Sequence, residues 1–183
     1  YDINNPDTVL TTTGSVEVTF SANDQVIERS TSNGEVSLEG LPVDGTITAS
    51  VSASDYIDSQ TVFRSIFEQQ GIYLLPDTAS TYQTRFVLED NTGGRFEEND
   101  PTIDVERALN KSGQTQWVSV RGGRFGVQGF NTQLEQGEEY RLIVRNDRGD
   151  QRVFYPYTAS AAETVPLEVG SINTTTTGED GYT

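Results

Sequence analysis

Residues 140–157 read Tyr140-Arg141-Leu142-Ile143-Val144-Arg145-Asn146-Asp147-Arg148-Gly149-Asp150-Gln151-Arg152-Val153-Phe154-Tyr155-Pro156-Tyr157. Tyr140, Leu142 and Val144 alternate with Arg141, Ile143 and Arg145, the period-two pattern of a half-buried strand. Asn146 to Asp150 concentrate turn formers, and Arg152 to Tyr157 answer as a hairpin partner. A chain built from such hairpins is all-β.

The rhythm continues outward. Val16, Val18 and Phe20 alternate, as do Val36 with Leu38 and Ile47 with Ala49 and Val51. Further strands are expected over 26–30, 60–67, 71–75 and 164–169, and around Phe86-Leu88, Ile103-Val105 and Trp117-Val120. Only 61–70 leaves room for a short helical piece. Polar residues 1–13 read as a leader or linker, 14–78 as one β-sandwich, 79–170 as a second entered through a short linker at 79–83, and 171–183 as a Thr-rich tail. The low-complexity tail, Asn173-Thr174-Thr175-Thr176-Thr177-Gly178, has the composition of a stalk. No run of 18 apolar residues exists to span a membrane as a helix. With Tyr1 first and no signal peptide, the chain reads as a segment of something longer.

One stretch resembles a known family. Gly14-Ser15-Val16-Glu17-Val18, Asn33-Gly34-Glu35-Val36-Ser37-Leu38, Gly40-Leu41-Pro42, the run from Ile47 to Tyr56, and Ile72-Tyr73-Leu74-Leu75-Pro76 follow one another. Together they resemble the carboxypeptidase regulatory-like, or transthyretin-like, β-sandwich module found in haloarchaeal cell-surface proteins. The resemblance covers about 14–76 and departs at 63–71, which is longer and bulkier than the usual connection. It implies a non-catalytic accessory or surface module with no active residues to carry over.

Composition narrows the chemistry. The 183 residues include 28 acids against 12 bases, for a net charge of −16, and no Cys, His or Met. No Ser-His-Asp or Cys-His system can be built. The usual zinc, haem and iron–sulfur ligands are missing, as is any disulfide framework. The negative field repels nucleic acid and anionic lipid. Hydrophobic residues are 33 %. Eleven bases are Arg and only Lys111 is Lys. Such acid-rich, Lys-poor chains resemble proteins of extreme halophiles, especially haloarchaea. Dense carboxylates stay hydrated where salt competes for water, and salt screens their repulsion. The charge is uneven: 12 acids and 2 bases up to Ala79, then 16 acids and 10 bases.

Several residues compete for a functional role. Asp90, Glu97, Glu98, Asp100 and Asp104 surround an acidic loop at 89–102 and supply the oxygens that Ca²⁺ or another hard cation takes. They lack EF-hand spacing and the RTX nonapeptide, and a solvated acidic loop is the favoured reading of them. Paired carboxylates could serve a glycoside hydrolase, but nothing selects one pair. Asn110-Lys111-Ser112 and Asn173-Thr174-Thr175 are N-glycosylation sequons, placed by the pattern in a loop and in the tail. Arg148-Gly149-Asp150 spells an integrin tripeptide within ordinary turn chemistry. Phe154, Tyr155 and Tyr157, with Trp117 and Phe130, offer either a sugar-stacking platform or core packing. Alternation cannot bury all three aromatics at 154–157, and Tyr155 is expected exposed as a contact residue. Gly93-Gly94-Arg95-Phe96 recurs as Gly122-Gly123-Arg124-Phe125, read as two similar loop-to-strand entries.

The combined expectation is an all-β protein of two tandem Ig-like/transthyretin-like β-sandwich modules. It is expected to be non-catalytic, extracellular and halophilic, without a cofactor. Its role is structural or adhesive: a surface-protein ectodomain, filament subunit or virion surface protein. Partners are further copies or neighbouring surface proteins, met through edge strands and the termini at 1–13 or 173–183. A carbohydrate-binding module is the alternative, with a carboxylate-based glycoside hydrolase behind it.

Overall fold

The computed structural model describes residues 1–10 and 15–170. Among them there is no helix. The strands are β1 (Val16–Ala22), β2 (Gln25–Thr31), β3 (Ile47–Ser52), β4 (Ser59–Phe63), β5 (Thr81–Glu89), β6 (Thr102–Lys111), β7 (Gln114–Arg124), β8 (Phe130–Glu135), β9 (Glu139–Arg145), β10 (Gln151–Thr158) and β11 (Glu163–Glu168). They form three sheets, ordered β2-β1-β3-β4, β10-β9-β6-β7 and β11-β5-β8. The chain divides into two compact units. The first comprises Tyr1–Ala79 with Ala108–Arg121, and the second Ser80–Arg107 with the chain from Gly122 onward. The β6–β7 hairpin thus contributes its tip half to the first unit.

In the first unit, period-two patterning puts Val16, Val18, Phe20 and Ala22 of β1 on one face with Ile47, Ala49 and Val51 of β3, all buried. Register places Phe20 between Ile27 and Ala49. Its ring meets Phe63 edge-on at 6.3 Å. Leu41 and Leu74 complete this core. The opposite face carries Glu17, Thr19, Ser21, Ser50 and Ser52, which gives the sheet its alternation. Asn23 and Asp24, both at positive φ, make the tight two-residue turn between β1 and β2.

Several expectations need correcting here. Residues 1–10 belong to the first unit rather than forming a leader: Ile3 is buried, and its N–H bonds Leu74 O at 2.9 Å. The Val36-Leu38 alternation makes no strand. Gly34 and Gly40 sit at φ +82° and +86°, which breaks extended backbone on both sides. At Gly34 a Cβ would stand 2.2 Å from Val9 Cγ1, so only glycine lets 9–10 pass. The strand expected over 60–67 is Ser59–Phe63, with no helical piece after it, and 71–75 contributes only a bridge from Leu74 to Asp2.

In the second unit, β9 and β10 form the expected antiparallel hairpin, Gln151 opposite Arg145 and Val153 opposite Ile143. β5 runs parallel to β11 and antiparallel to β8. Phe86 of β5 meets Tyr157 of β10 edge-on at 5.5 Å, so the two sheets of this unit face one another across a shared core, as in a β-sandwich. Ile103, Val105, Leu134, Leu142, Val144 and Leu167 fill it.

Four further corrections concern this part of the chain. The linker expected at 79–83 is partly strand, because β5 begins at Thr81. β8 was not expected. The repeated Gly-Gly-Arg-Phe is not one structure used twice: Gly93 and Gly94 turn a loop at positive φ, whereas Gly122 and Gly123 lie inside β7. A register shift between Phe154 and Tyr157, beside the cis Tyr155–Pro156 bond, interrupts the alternation. Phe154, Tyr155 and Tyr157 are accordingly all half-buried, Tyr155 included.

Candidate functional site

The acidic loop is held by its own carboxylates. Asp90 accepts hydrogen bonds from the N–H groups of Thr92, Phe96 and Glu97 at 2.8–2.9 Å and from the Thr92 hydroxyl. Phe96 is fully buried, with the Arg152 guanidinium 5.3 Å from its ring centroid. Asp100 takes the Arg124 Nε at 2.9 Å, and Asp104 pairs with Arg145. The candidate acids are therefore spread among separate partners, with Glu97 and Glu98 on the exposed side. Among the described residues, no three carboxylates converge where they could hold a metal ion.

Asn146 ties this loop to the β9–β10 turn, a role the sequence reading missed. Its buried amide donates to Arg95 O at 3.0 Å and to Asp150 Oδ2 at 3.1 Å, and its Oδ1 accepts from the N–H groups of Arg148 and Asp150 at 3.0 Å. Arg95 grips the same Asp150 carboxylate through two bonds at 2.8 and 2.9 Å. The Asp of the Arg148-Gly149-Asp150 tripeptide is thus engaged inside its own unit. Asn146 and Arg95 also hold its carboxyl below the usual range.

The balance at Asp90 yields a pH prediction. Burial pushes its carboxyl up, but the Thr92 hydroxyl and the three N–H donors outweigh it, and the net shift is downward. A depressed carboxylate stabilises the fold above its unfolded-state pKa and loses that contribution as pH falls through the folded value. Asp90→Ala should cost roughly 2–3 kcal/mol at neutral pH by stranding those donors. Urea unfolding checks this, and the gap between variant and parent should narrow below about pH 4.

Two tyrosines shift the other way. Burial first, then hydrogen bonds to Asp2 and Glu163, push Tyr56 and Tyr157 up to about 12. Stability from these groups is fully present below their unfolded value near 10 and is lost as pH rises through about 12. An ultraviolet titration checks this: Tyr56→Phe with Tyr157→Phe should lose part of the absorbance change that the parent shows near pH 12.

In the first unit, Asn110 stands exposed at the end of β6, a strand position rather than the expected loop. Beside it the Lys111 ammonium lies 5.0 and 5.1 Å from the ring centroids of Tyr1 and Tyr73 and donates to the Tyr73 hydroxyl, which raises its pKa. Ser112 donates its N–H to Asp7 at 2.9 Å. The second sequon, at Asn173, lies outside the described residues. Of the aromatic set, Phe130 is core and Tyr157 packs on Phe86, while the half-buried Tyr155 donates to Glu139 at 3.0 Å.

The remaining feature is a cavity of about 390 Å³ in the first unit. Val16, Val18, Phe20, Val51, Phe63 and Leu74 form its floor. Leu10, Val36, Leu38 and Ile72 form its sides and are only half-buried. Thr31, Glu35, Gln69 and Gln70, with Tyr1, add polar groups to its lining. Phe67, 81 % exposed, sits on the same 64–71 loop as the two glutamines. The sequence held no signal for this space, because loops 33–41 and 64–75 shape it. No protein-family model, curated protein or solved structure matches this chain.

Proposed function

We propose that the chain is a non-catalytic, extracellular structural or adhesive module of a halophilic surface assembly. Its two units are read as tandem transthyretin-like β-sandwiches. The observation that carries this reading is what the carboxylates do. Asp90, Asp100, Asp104, Glu106, Glu135 and Asp150 accept hydrogen bonds or ion pairs that fix loops and strands, so their lone pairs serve the fold. Each unit still keeps an excess of eight acids, 12 against 4 bases in the first and 16 against 8 in the second.

The strand order supports one half of the fold expectation. With β5 to β11 lettered A to G, the sheets run F-E-B-C and G-A-D. Immunoglobulin constant domains pair ABED with CFG. For the second unit the transthyretin-like reading is therefore kept over the immunoglobulin one; for the first, whose strands β2-β1-β3-β4 form one sheet, it rests on the sequence resemblance. Contact with neighbours is assigned to sheet edges. β2 is an edge strand, and its Val26 is 64 % exposed. An open edge accepts a neighbour's strand through main-chain hydrogen bonds, and a lysine there blocks it.

Native mass by light scattering in multimolar salt tests the reading. The expected result is an assembly that Val26→Lys reduces to monomer without loss of β structure. A monomer at every salt concentration overturns the self-assembling form of the proposal.

A further inference from the structure

We infer that Asn110 is an N-glycosylation site, its side-chain amide taking a saccharide beside the tip of the β6–β7 hairpin. The inference rests on the extracellular part of the reading above, because the sequon is used in secreted chains.

The strand and its turn present the acceptor. Asn110 and Lys111 end β6, and Ser112 and Gly113 follow at φ +51° and +78°, a tight two-residue turn. Alternation sends Leu109, buried, and Lys111, with its ammonium on the Tyr1 and Tyr73 rings, to one face. Asn110 points to the other face and is exposed. Residues 112–116 are exposed too, and a Cβ on Gly113 would meet nothing within 4 Å, so a bulky saccharide has room. Among the described residues, the Asn110 amide has no hydrogen-bond partner. Other asparagines here bond the backbone: Asn33 accepts from the Glu35 N–H at 3.2 Å, Asn99 donates to Arg95 O at 2.8 Å, and Asn146 ties two loops. Asparagine is depleted in strands. Position 110 therefore holds a residue type that the fold does not call for, and the sequon supplies the reason.

The step is a glycosyl transfer from a lipid-linked saccharide, catalysed by a transferase of the secreting cell. Asn110 Nδ2 bonds to the anomeric carbon, the bond from that carbon to the polyprenyl phosphate oxygen breaks, and the lipid phosphate leaves. One amide proton passes to a base of the transferase, and nothing is oxidised or reduced. The transferase reads the hydroxyl two residues on. In the folded chain that group is engaged: Ser112 donates its N–H to Asp7 at 2.9 Å and its hydroxyl to the same carboxylate at 3.4 Å. Transfer therefore acts before residues 1–10 dock. The amide it consumes holds nothing in the finished fold, so the saccharide is accommodated without a change of structure.

The test exports the full chain, with Asn173→Gln to silence the second sequon, behind an added secretion signal from a salt-requiring archaeal host that N-glycosylates its own surface proteins. The added signal fixes the location, so a bare Asn110 counts against this site and not against the extracellular reading. External protease on cells making the native chain tests that reading separately. The expected result is an intact mass above that of the polypeptide by one saccharide, placed on Asn110 by peptide fragmentation. Asn110→Gln and Ser112→Ala should each lose that increment, and Ser112→Thr should keep it. Asn110→Gln should also keep the parent's circular dichroism. A secreted chain without saccharide, from cells whose own surface proteins carry theirs, overturns the inference. An increment that survives Asn110→Gln or Ser112→Ala does the same. Asp7→Ala should leave the occupied fraction unchanged, and a rise would overturn transfer before docking.

Discussion

Phe86→Ala should destabilise the second unit by about 3–5 kcal/mol, the usual loss for a fully buried aromatic ring. Phe86 is 0 % exposed and sits on β5, the middle strand between β11 and β8. Its ring is the edge-on partner of Tyr157 in the facing sheet, so truncation removes the transfer energy of the ring, opens a void and breaks an inter-sheet contact. The surroundings cannot close over the gap easily. The backbone beside it is fixed by Gly129, where a Cβ would stand 2.3 Å from Phe86 O. For a unit of this size the loss is a large part of a total stability of roughly 5–10 kcal/mol. Urea unfolding should show the second unit's transition at much lower denaturant. Val127→Ala, at a fully exposed position, should leave it in place. A Phe86→Ala loss below about 1 kcal/mol would mean that the two sheets do not share this core.

Much of the fold was legible where one face of a strand is buried and the partner lies next in sequence. Val16-Val18-Phe20, Ile47-Ala49-Val51 and the Tyr140 to Tyr157 hairpin show it through alternation alone. β8 carried the same signal in Phe130, Thr132 and Leu134 and was overlooked beside the polar Asn131, Gln133 and Glu135. Val36 and Leu38 had the signal without the strand, because flanking glycines at positive φ turned the backbone away from a ladder. The membership of 108–121 in the first unit was illegible, since it rests on contacts such as Ser112 with Asp7, 105 residues apart. The loop-fixing roles of Asp90 and Asn146 were hidden for a related reason. Both types are common in turns, and only the course of two loops turns them into hubs. The cavity depends on loop paths that periodicity does not encode.

The second large effect concerns salt. The chain carries net −16, divided equally: the first unit has 12 acids and 4 bases, the second 16 and 8. The units answer that charge differently. In the second, Arg107 holds Glu135 at 2.7 Å and Glu138 at 3.1 Å, and Arg141 holds Glu106 at 2.6 Å, with both partners of that last pair less than one-fifth exposed. Partly buried pairs of this kind are only weakly screened. In the first unit the acids Glu17, Glu28, Glu35, Glu39, Asp44 and Glu68 stand exposed, so their mutual repulsion is the quantity that salt removes. Raising salt from about 0.1 M to about 3 M shortens the screening length from roughly 10 Å to below 3 Å. Stronger apolar burial in salt adds in the same direction. A gain of roughly 2–4 kcal/mol in the first unit is expected, which is a rise of about 10–25 °C in its unfolding midpoint.

The decisive measurement is thermal unfolding of the whole chain followed across that salt range, with the two units reported separately. Trp117 fluorescence follows the first unit, and the depressed transition of Phe86→Ala marks the second. The expected result is a midpoint for the first unit that climbs steeply with salt, while the second moves less. Midpoints that stay level or fall as salt rises would contradict a salt-adapted surface module, whatever the chain assembles with.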